Sequence, residues 1–346
     1  MTEQVHIIDP CTSAEWMQFI ASHPDAGFFH HPAWMRMLQD IYGYRIFAIC
    51  LKSGNAIRAG IPFGDIHSLL TGKRWISMPF SDHCQPLFPF NDPDAVHAMM
   101  NYLKERQGIN TPKIEIRWGI KSSTPVYLEK HFVYHLLPLN KDPRVIYKAL
   151  DKQMAQRSIR KAEREGVTVR QCTTFEEFDV FYRLQVITRK RLGVLAQPRT
   201  FFRGIWEYIL KPGLGFALVS YKDTTPLAGG VFLKFGSTVY YKYGAMDTAY
   251  KTYRPVHAFM WKAIQRACTE GYAQLDFCRS ESSNEGLKKF KTSWNAVEHE
   301  LPYTIFSNTP PKSGLFKLDA VAGAVIRHSP EFVCTLSGEL LYKHFV

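Results

Sequence analysis

Cysteine is scarce in this sequence: seven in 346 residues, at positions 11, 50, 84, 172, 268, 278 and 334. The number is odd and no Cys-x-x-Cys pair occurs, which argues against a disulfide framework or a cysteine zinc site and for reduced thiols in a cytosolic protein. No apolar run approaches the roughly 20 residues of a membrane span. The stretch from Met1 to Pro10 has neither the basic start nor the apolar core of a secretion signal, so a cytoplasmic location is expected. Acidic residues are in deficit, 31 against 43 Lys and Arg, and the net charge of +12 is spread along the chain rather than massed in a tail. Such a balance favours anionic partners: RNA, phosphorylated or nucleotide-linked substrates, or an acidic membrane surface. It does not choose among them.

Common catalytic signatures are missing too. Leu70-Thr71-Gly72-Lys73-Arg74 resembles a phosphate loop but lacks the upstream Gly and the Ser or Thr after the Lys. Gly213 and Gly215 have no third glycine, and His299-Glu300 has no second His for zinc. There is no Gly-x-Ser-x-Gly elbow. The histidines show no ligand spacing, so no required metal or cofactor is expected.

What the chain does hold is apolar and aromatic. With 46% apolar and 14% aromatic residues it can fill two cores, consistent with about two domains of ~150 residues each. A strand near Val5–Ile8 precedes a helix started by Thr12-Ser13 and a second one from Pro32 to Gly43. Three strand-like runs, a helix capped by Asp92 and another strand follow. The second half repeats that order. A helix is expected from Asp142-Pro143 to Gly166, then a strand, a helix opened by a Thr174/Glu177 capping box, and a second helix after Thr200. Three more strands, a helix from Pro255 and the strand ending near Cys278 complete it. The reading is an α/β chain of two similar domains, residues 1–140 and 141–306. Residues 307–346 form a linker and a helical tail with apolar residues at helical spacing, including Val321, Val325, Leu336, Leu340 and Leu341. The tail reads as a helix packed on the body, with a membrane-lying helix as the alternative.

Four stretches carry candidate chemistry. In LDFCRSESSNEGLKKFKTSW, a strand stops, a polar loop from Arg279 to Glu285 opens, and a short helix aims Lys291 back at the strand end. A Lys there can offset a phosphate or a developing oxyanion; the plain alternative is that Lys288, Lys289 and Lys291 form a solvated face. On the helix Val145–Glu165, Arg157, Arg160, Lys161 and Arg164 share one face opposite the stripe Val145, Ile146, Ala149, Leu150 and Met154. Cations near a helix C-terminus suit its dipole, but four on one face exceed that need and suit phosphate binding. In TVYYKYGA, strict alternation puts Tyr241 and Tyr243 on one face, and Tyr243 and Gly244 at the strand end beside the expected groove. Asp82, in MPFSDH, is either a turn former or a carboxylate that accepts a proton from an attacking amine.

The segments RSIRKAEREGVTV, YYKYGAM, LDFCRS and GLKKFKTSW, with FFHHPAW, Gly60-Ile61-Pro62 and SMPFSD in the first half, resemble the FemABX family. They are closest to the FemAB-like subgroup associated with surface-polysaccharide gene sets. The resemblance implies two tandem GNAT-like domains, each a mixed, mostly antiparallel sheet flanked by helices, in which the fourth and fifth strands splay around an acyl donor. It implies transfer of an aminoacyl group from aminoacyl-tRNA to an amine of a nucleotide- or lipid-linked cell-wall or surface-polysaccharide precursor. Acyl-CoA is the alternative donor, and a non-catalytic module for an anionic glycolipid or partner the alternative to an enzyme. Peripheral contact with the inner membrane stays open. Phe290 and Lys291 match the family's Phe-Lys pair at the donor site; Tyr243, Gly244, Arg279 and Ser280 line the groove; Arg157, Arg160 and Lys161 hold an acceptor or tRNA phosphate. Two positions depart from the subgroup, Cys278 and Asn295, where glycine is usual. YRPVHA before the third helix of the second half lacks the glycines that cradle the coenzyme A pyrophosphate.

Overall fold

Capping residues and glycines fix where the elements begin and end. Ser13 Oγ accepts a hydrogen bond from the Trp16 amide and starts α1 (Ala14–Ser22), which follows β1 (Glu3–Ile8). Pro32 opens α2 (Pro32–Tyr42), and Gly43, at φ +67°, closes it in the left-handed conformation that glycine adopts without strain. Then come β2 (Arg45–Ser53), β3 (Ala56–Ser68) and β4 (Gly72–Ser77). Asp92 accepts from the Ala95 amide to cap α3 (Pro93–Arg106), and β5 (Lys113–Ile116) and β6 (Tyr127–Pro138) follow.

The structure, a computed structural model, describes residues 3–68, 70–108, 113–310 and 320–344. The chain forms two compact units, residues 1–133 with 300–315 and 343–346, and residues 134–299 with 316–342. In the first unit β1 to β4 pair antiparallel in sequence order, and β4 and β5 pair parallel across the α3 crossover. Its core sets Phe47, Ile61 and Phe63 of the sheet against Met99, Met100 and Leu103 of α3.

The second unit repeats this plan. It opens with α4 (Pro143–Ala149), capped by Asp142, and here the structure departs from the single helix expected up to Gly166. Leu150 turns extended (ψ 150°), and the Asp151 carboxylate restarts the chain by accepting from the Gln153 and Met154 amides. A short π-helical turn, Lys152–Gln156, leads into α5 (Arg157–Arg164). The apolar stripe shifts with the break: Val145 is 49% exposed and Ala149 is exposed, while Ile146, Leu150, Ala155, Ile159 and Ala162 are buried. Next come β7 (Val167–Gln171), α6 (Phe175–Leu192), whose Thr174 and Glu177 form the reciprocal cap, and α7 (Arg199–Ile205). β8 (Gly215–Lys222), β9 (Thr225–Phe235) and β10 (Thr238–Met246) pair antiparallel, beginning with β7 on β8. A parallel crossover through α8 (Pro255–Thr269) returns to β11 (Gln274–Glu281) beside β10. Gly229 and Gly230 let helices approach both faces of β9: a Cβ would stand 2.9 Å from Phe181 of α6 at the first and 2.6 Å from Phe259 of α8 at the second.

After β11 come α9 (Glu285–Thr292) and β12 (Val297–Ser307), whose last residues, Thr304–Ser307, pair with β5 in the first unit's sheet. Each unit is thus a mixed, mostly antiparallel sheet flanked by helices. The tail forms α10 (Ala320–His328) and α11 (Glu331–Leu341). Its packing is narrower than expected. Cys334 and Gly338 are buried, but Val325, Leu336 and Leu340 are 57%, 57% and 62% exposed. The Val321 side chain and residues 311–319 lie outside the described residues. No helix among the described residues is long and apolar enough to cross a membrane.

Candidate active site

β10 and β11 run together for only three pairs, Thr238 with Gln274, Val239 with Leu275 and Tyr240 with Asp276, and then part. Both strands carry a local cause. Cys278 sits at φ +57°, a left-handed backbone uncommon outside glycine, and its amide donates to Asp276 Oδ1 at 2.7 Å. β11 stays extended to Glu281, so the expected loop is shorter, and the bend at Cys278 rather than a strand end turns it away from β10. Opposite, β10 takes one extra residue: Tyr241 faces Phe232 and Tyr243 faces Val231, leaving Lys242 as a bulge.

Lys291 lies at this opening. Asn284 caps α9 through the Leu287 amide, and the three lysines of the helix take different positions. Lys289 is exposed; Lys288 pairs with Glu285 at 3.3 Å and Glu298 at 3.4 Å; Lys291 is only 3% exposed. Its Nζ donates to the carbonyls of Cys278 at 2.8 Å and Arg279 at 3.1 Å. The bend at Cys278 presents both carbonyls to the ammonium, so the left-handed residue and the buried cation are one arrangement. His135 on β6, fully buried, has its pKa lowered to about 4, first by burial and then by the Lys291 charge, and is neutral at pH 7.

The bulge overturns the strict alternation expected for β10. Tyr241 packs against Phe232, Phe259 and Phe277 on the α8 side, whereas Tyr243 packs against Phe201 and Phe202 of α7. A Cβ at exposed Gly244 would collide with the Tyr241 hydroxyl, and the Cys278 thiol adds to the burial that raises the Tyr241 pKa. Tyr241, not singled out from the sequence, therefore reaches the gap between the strands, while the Tyr243 ring packs on the other face. The extra residue at Lys242 makes the difference, and the alternating sequence does not mark it.

Phe290 meets His257, from the first turn of α8, edge-on at 5.6 Å, and His257 stacks on Trp294 at 5.6 Å. Burial, then Arg254, lowers the His257 pKa to about 4. Ser280 is 3% exposed, and its hydroxyl and the Trp294 indole nitrogen are buried with no hydrogen-bond partner among the described residues. The first turn of α8 has little to offer an anion: Pro255 has no N–H, and the His257 and Ala258 amides already donate to the Arg254 carbonyl.

On α5, Arg157, Arg160 and Arg164 are exposed and Lys161 half-buried; among the described residues none of the four makes an ion pair or side-chain hydrogen bond. Asp82 belongs to the first unit, half-buried, and its main-chain carbonyl accepts from the Tyr303 hydroxyl at 2.6 Å. Among the described residues no three His, Cys, Asp or Glu side chains group as metal ligands.

Residues 151–292, from the Asp151 cap to the end of α9, match the acetyltransferase (GNAT) domain family. No curated protein matches the chain in sequence. Among solved structures, FemX superposes with a TM-score of 0.69 at 15% identity, covering 88% of this chain and 97% of FemX. The C-terminal domain of a putative lysylphosphatidylglycerol synthetase from Agrobacterium fabrum gives 0.56 at 14% identity, over 92% of this chain and 96% of that one. A tandem GNAT protein from the clavulanic acid biosynthesis pathway gives 0.54 at 8% identity, over 89% and 100%. A repeated strand–helix–helix–three strands–helix–strand order, a parallel pair that opens beside a buried lysine, and these likenesses agree: the chain has the tandem GNAT fold of FemX, with a GNAT acetyltransferase domain at residues 151–292.

Proposed function

We propose that the chain is an N-acyltransferase that moves an aminoacyl group from aminoacyl-tRNA to an amine of a cell-wall or surface-polysaccharide precursor, nucleotide- or lipid-linked. The observation that carries the reading is the parting of β10 and β11 after Tyr240 and Asp276, with the Lys291 ammonium buried at the opening. The acyl carbonyl lies in that opening. The amine nitrogen bonds to the carbonyl carbon, the carbonyl oxygen takes the negative charge, and the ester oxygen leaves as the tetrahedral centre collapses. The proton lost by the amine goes to water, and the departing oxygen takes up a proton from water. Lys291 steadies the oxyanion or a donor phosphate, an effect of ~3 kcal/mol on the barrier, and positioning of two substrates supplies roughly 7–11 kcal/mol more. Phe290, Tyr241, Gly244, Arg279 and Ser280 shape the donor site, Tyr241 in place of the Tyr243 expected from the sequence, and Arg157, Arg160 and Lys161 take a phosphate of the acceptor or tRNA.

The α8 first turn supports tRNA over acyl-CoA, because Val256 carries its one uncommitted amide among the described residues, too few to cradle a diphosphate. The GNAT acetyltransferase match is what favours the second reading, acyl-CoA as donor to a sugar amine. Incubating the chain with charged tRNA and an amine acceptor should yield an amide product. Lys291→Ala should lower turnover by about 100-fold, in line with loss of one preorganised oxyanion contact. Full activity in that variant removes Lys291 from the mechanism. Micromolar acetyl-CoA binding by calorimetry, with no transfer from tRNA, replaces the first reading with the second.

A further inference from the structure

Two loops of the first unit flank a cavity of about 530 Å³. One, Pro89 to Asp92, leads into α3; the other, Lys121 to Ser123, follows β5. β4 and β5 form a parallel pair across the α3 crossover, and the two loops belong to the segments that follow these strands. Open α/β sheets hold ligands in that position. The volume falls within the range of small-molecule sites, roughly 300–1,000 Å³, and exceeds what a lone ion fills.

The polar wall of the cavity ends a directed chain of hydrogen bonds. The Thr124 hydroxyl donates to Asn101 Oδ1 at 2.9 Å, and the Asn101 amide nitrogen donates to His97 Nε2 at 2.8 Å. With Nε2 accepting, Nδ1 carries the ring proton and donates to Ser123 Oγ at 3.4 Å. The Ser123 oxygen is thus engaged, and its own proton is left to donate to a ligand. Ser122 Oγ accepts from the Thr124 amide at 3.1 Å and keeps its proton in the same way. Lys121 also lines the cavity and makes no ion pair among the described residues. Asp92, the acidic residue of the lining, is engaged elsewhere: Oδ1 accepts from the Ala95 amide at 3.0 Å and Oδ2 from the Arg58 guanidinium at 2.7 Å. An ammonium and two hydroxyls, all donating, match the three terminal oxygens of a phosphate monoester better than the two of a carboxylate. Pro89, Pro93 and Val96 supply an apolar wall for the body that carries the phosphate, and the Asn91 side chain offers a donor and an acceptor to its hydroxyls. Phe90, in sequence between Pro89 and Asn91, is 94% exposed, an apolar ring left in water next to the lining.

We propose that this cavity binds a small sugar phosphate, its phosphate on Lys121, Ser122 and Ser123 and its ring along Pro89, Pro93 and Val96. His97 is a positioning residue that acts through Ser123. None of these residues enters the acyl transfer proposed above, so a chain that transfers nothing would still bind. In phosphorus NMR, glucose 6-phosphate should show saturable line broadening by the full chain. Inorganic phosphate should bind about tenfold more weakly, because it leaves the apolar wall uncovered. Lys121→Glu should weaken binding of the sugar phosphate by about tenfold, and Ser123→Ala and His97→Phe each by about threefold. His97→Phe should add nothing in a Ser123→Ala background; additive losses overturn its role. Lys121→Glu and Ser123→Ala replace exposed side chains and carry the test should His97→Phe unfold, which the thermal midpoint reports. The proposal is overturned if glucose 6-phosphate does not saturate, or if inorganic phosphate binds as tightly as the sugar phosphate. It is also overturned if both Lys121→Glu and Ser123→Ala bind undiminished, which assigns the phosphate to other cations such as Arg157 and Arg160.

Discussion

Cys278 and Asn295 both hold positive φ, +57° and +63°, and stand on either side of α9. They are also the positions where the sequence departs from the glycine usual in the FemAB-like subgroup. The backbone explains the preference: glycine enters the left-handed region freely, asparagine at modest cost, and a buried cysteine with strain of about 1–2 kcal/mol. The bend persists because Asp276 holds the Cys278 amide and Lys291 holds the two carbonyls that follow. Cys278→Gly should therefore change stability by less than about 1 kcal/mol, lost thiol burial offsetting the relief of strain. Cys278→Val, whose branched Cβ resists this conformation, should lose more than about 2 kcal/mol by urea denaturation. Equal stability of the two variants would mean that the left-handed backbone is not what the site demands. The cation itself was legible from the Phe-Lys spacing. Its burial was not, because Lys288, Lys289 and Lys291 are chemically alike and only the carbonyls of a bent strand distinguish them.

Among the elements, strong periodicity and capping chemistry read well from sequence. The Thr174/Glu177 cap, Gly43 closing α2, and the Asp92 start of α3 all lie where the residues indicate. Two of the misread elements are places where one residue breaks the period. Leu150 interrupts an otherwise helical run, and Lys242 adds a residue to β10; neither is Gly or Pro, so neither announces itself. The α11 stripe was visible as helical spacing, but spacing cannot say which side of a helix meets the body. Element contacts also set a steric test. With Phe259 2.6 Å from a Cβ at Gly230, Gly230→Ala should push α8 off the sheet and lower stability by roughly 1–3 kcal/mol. An unchanged unfolding midpoint would mean that α8 can retreat without penalty.

For the molecule as a whole, buried neutral histidines set the acid limit. His30 in the first unit, and His135 and His257 in the second, all have pKa values lowered to about 4, burial being the leading cause in each. The unfolded chain takes up these protons near pH 6.5 and the folded one only near pH 4, so stability is full above about 6.5 and declines as pH falls towards about 4. Each group adds a slope of about 1.4 kcal/mol per pH unit within that window. Denaturation curves from pH 7 to 5 should show a falling midpoint in both units, and His135→Phe should flatten it; an unchanged midpoint would show that these rings are protonated without cost. A last consequence belongs to the parted strands. Beyond Tyr240 and Asp276 the two strands share no further register pairs among the described residues, although they belong to the middle of a sheet. Deuterium should label their amides there as quickly as it labels a sheet's outer rim, and a donor lying between the strands would act as the missing rung and slow that uptake.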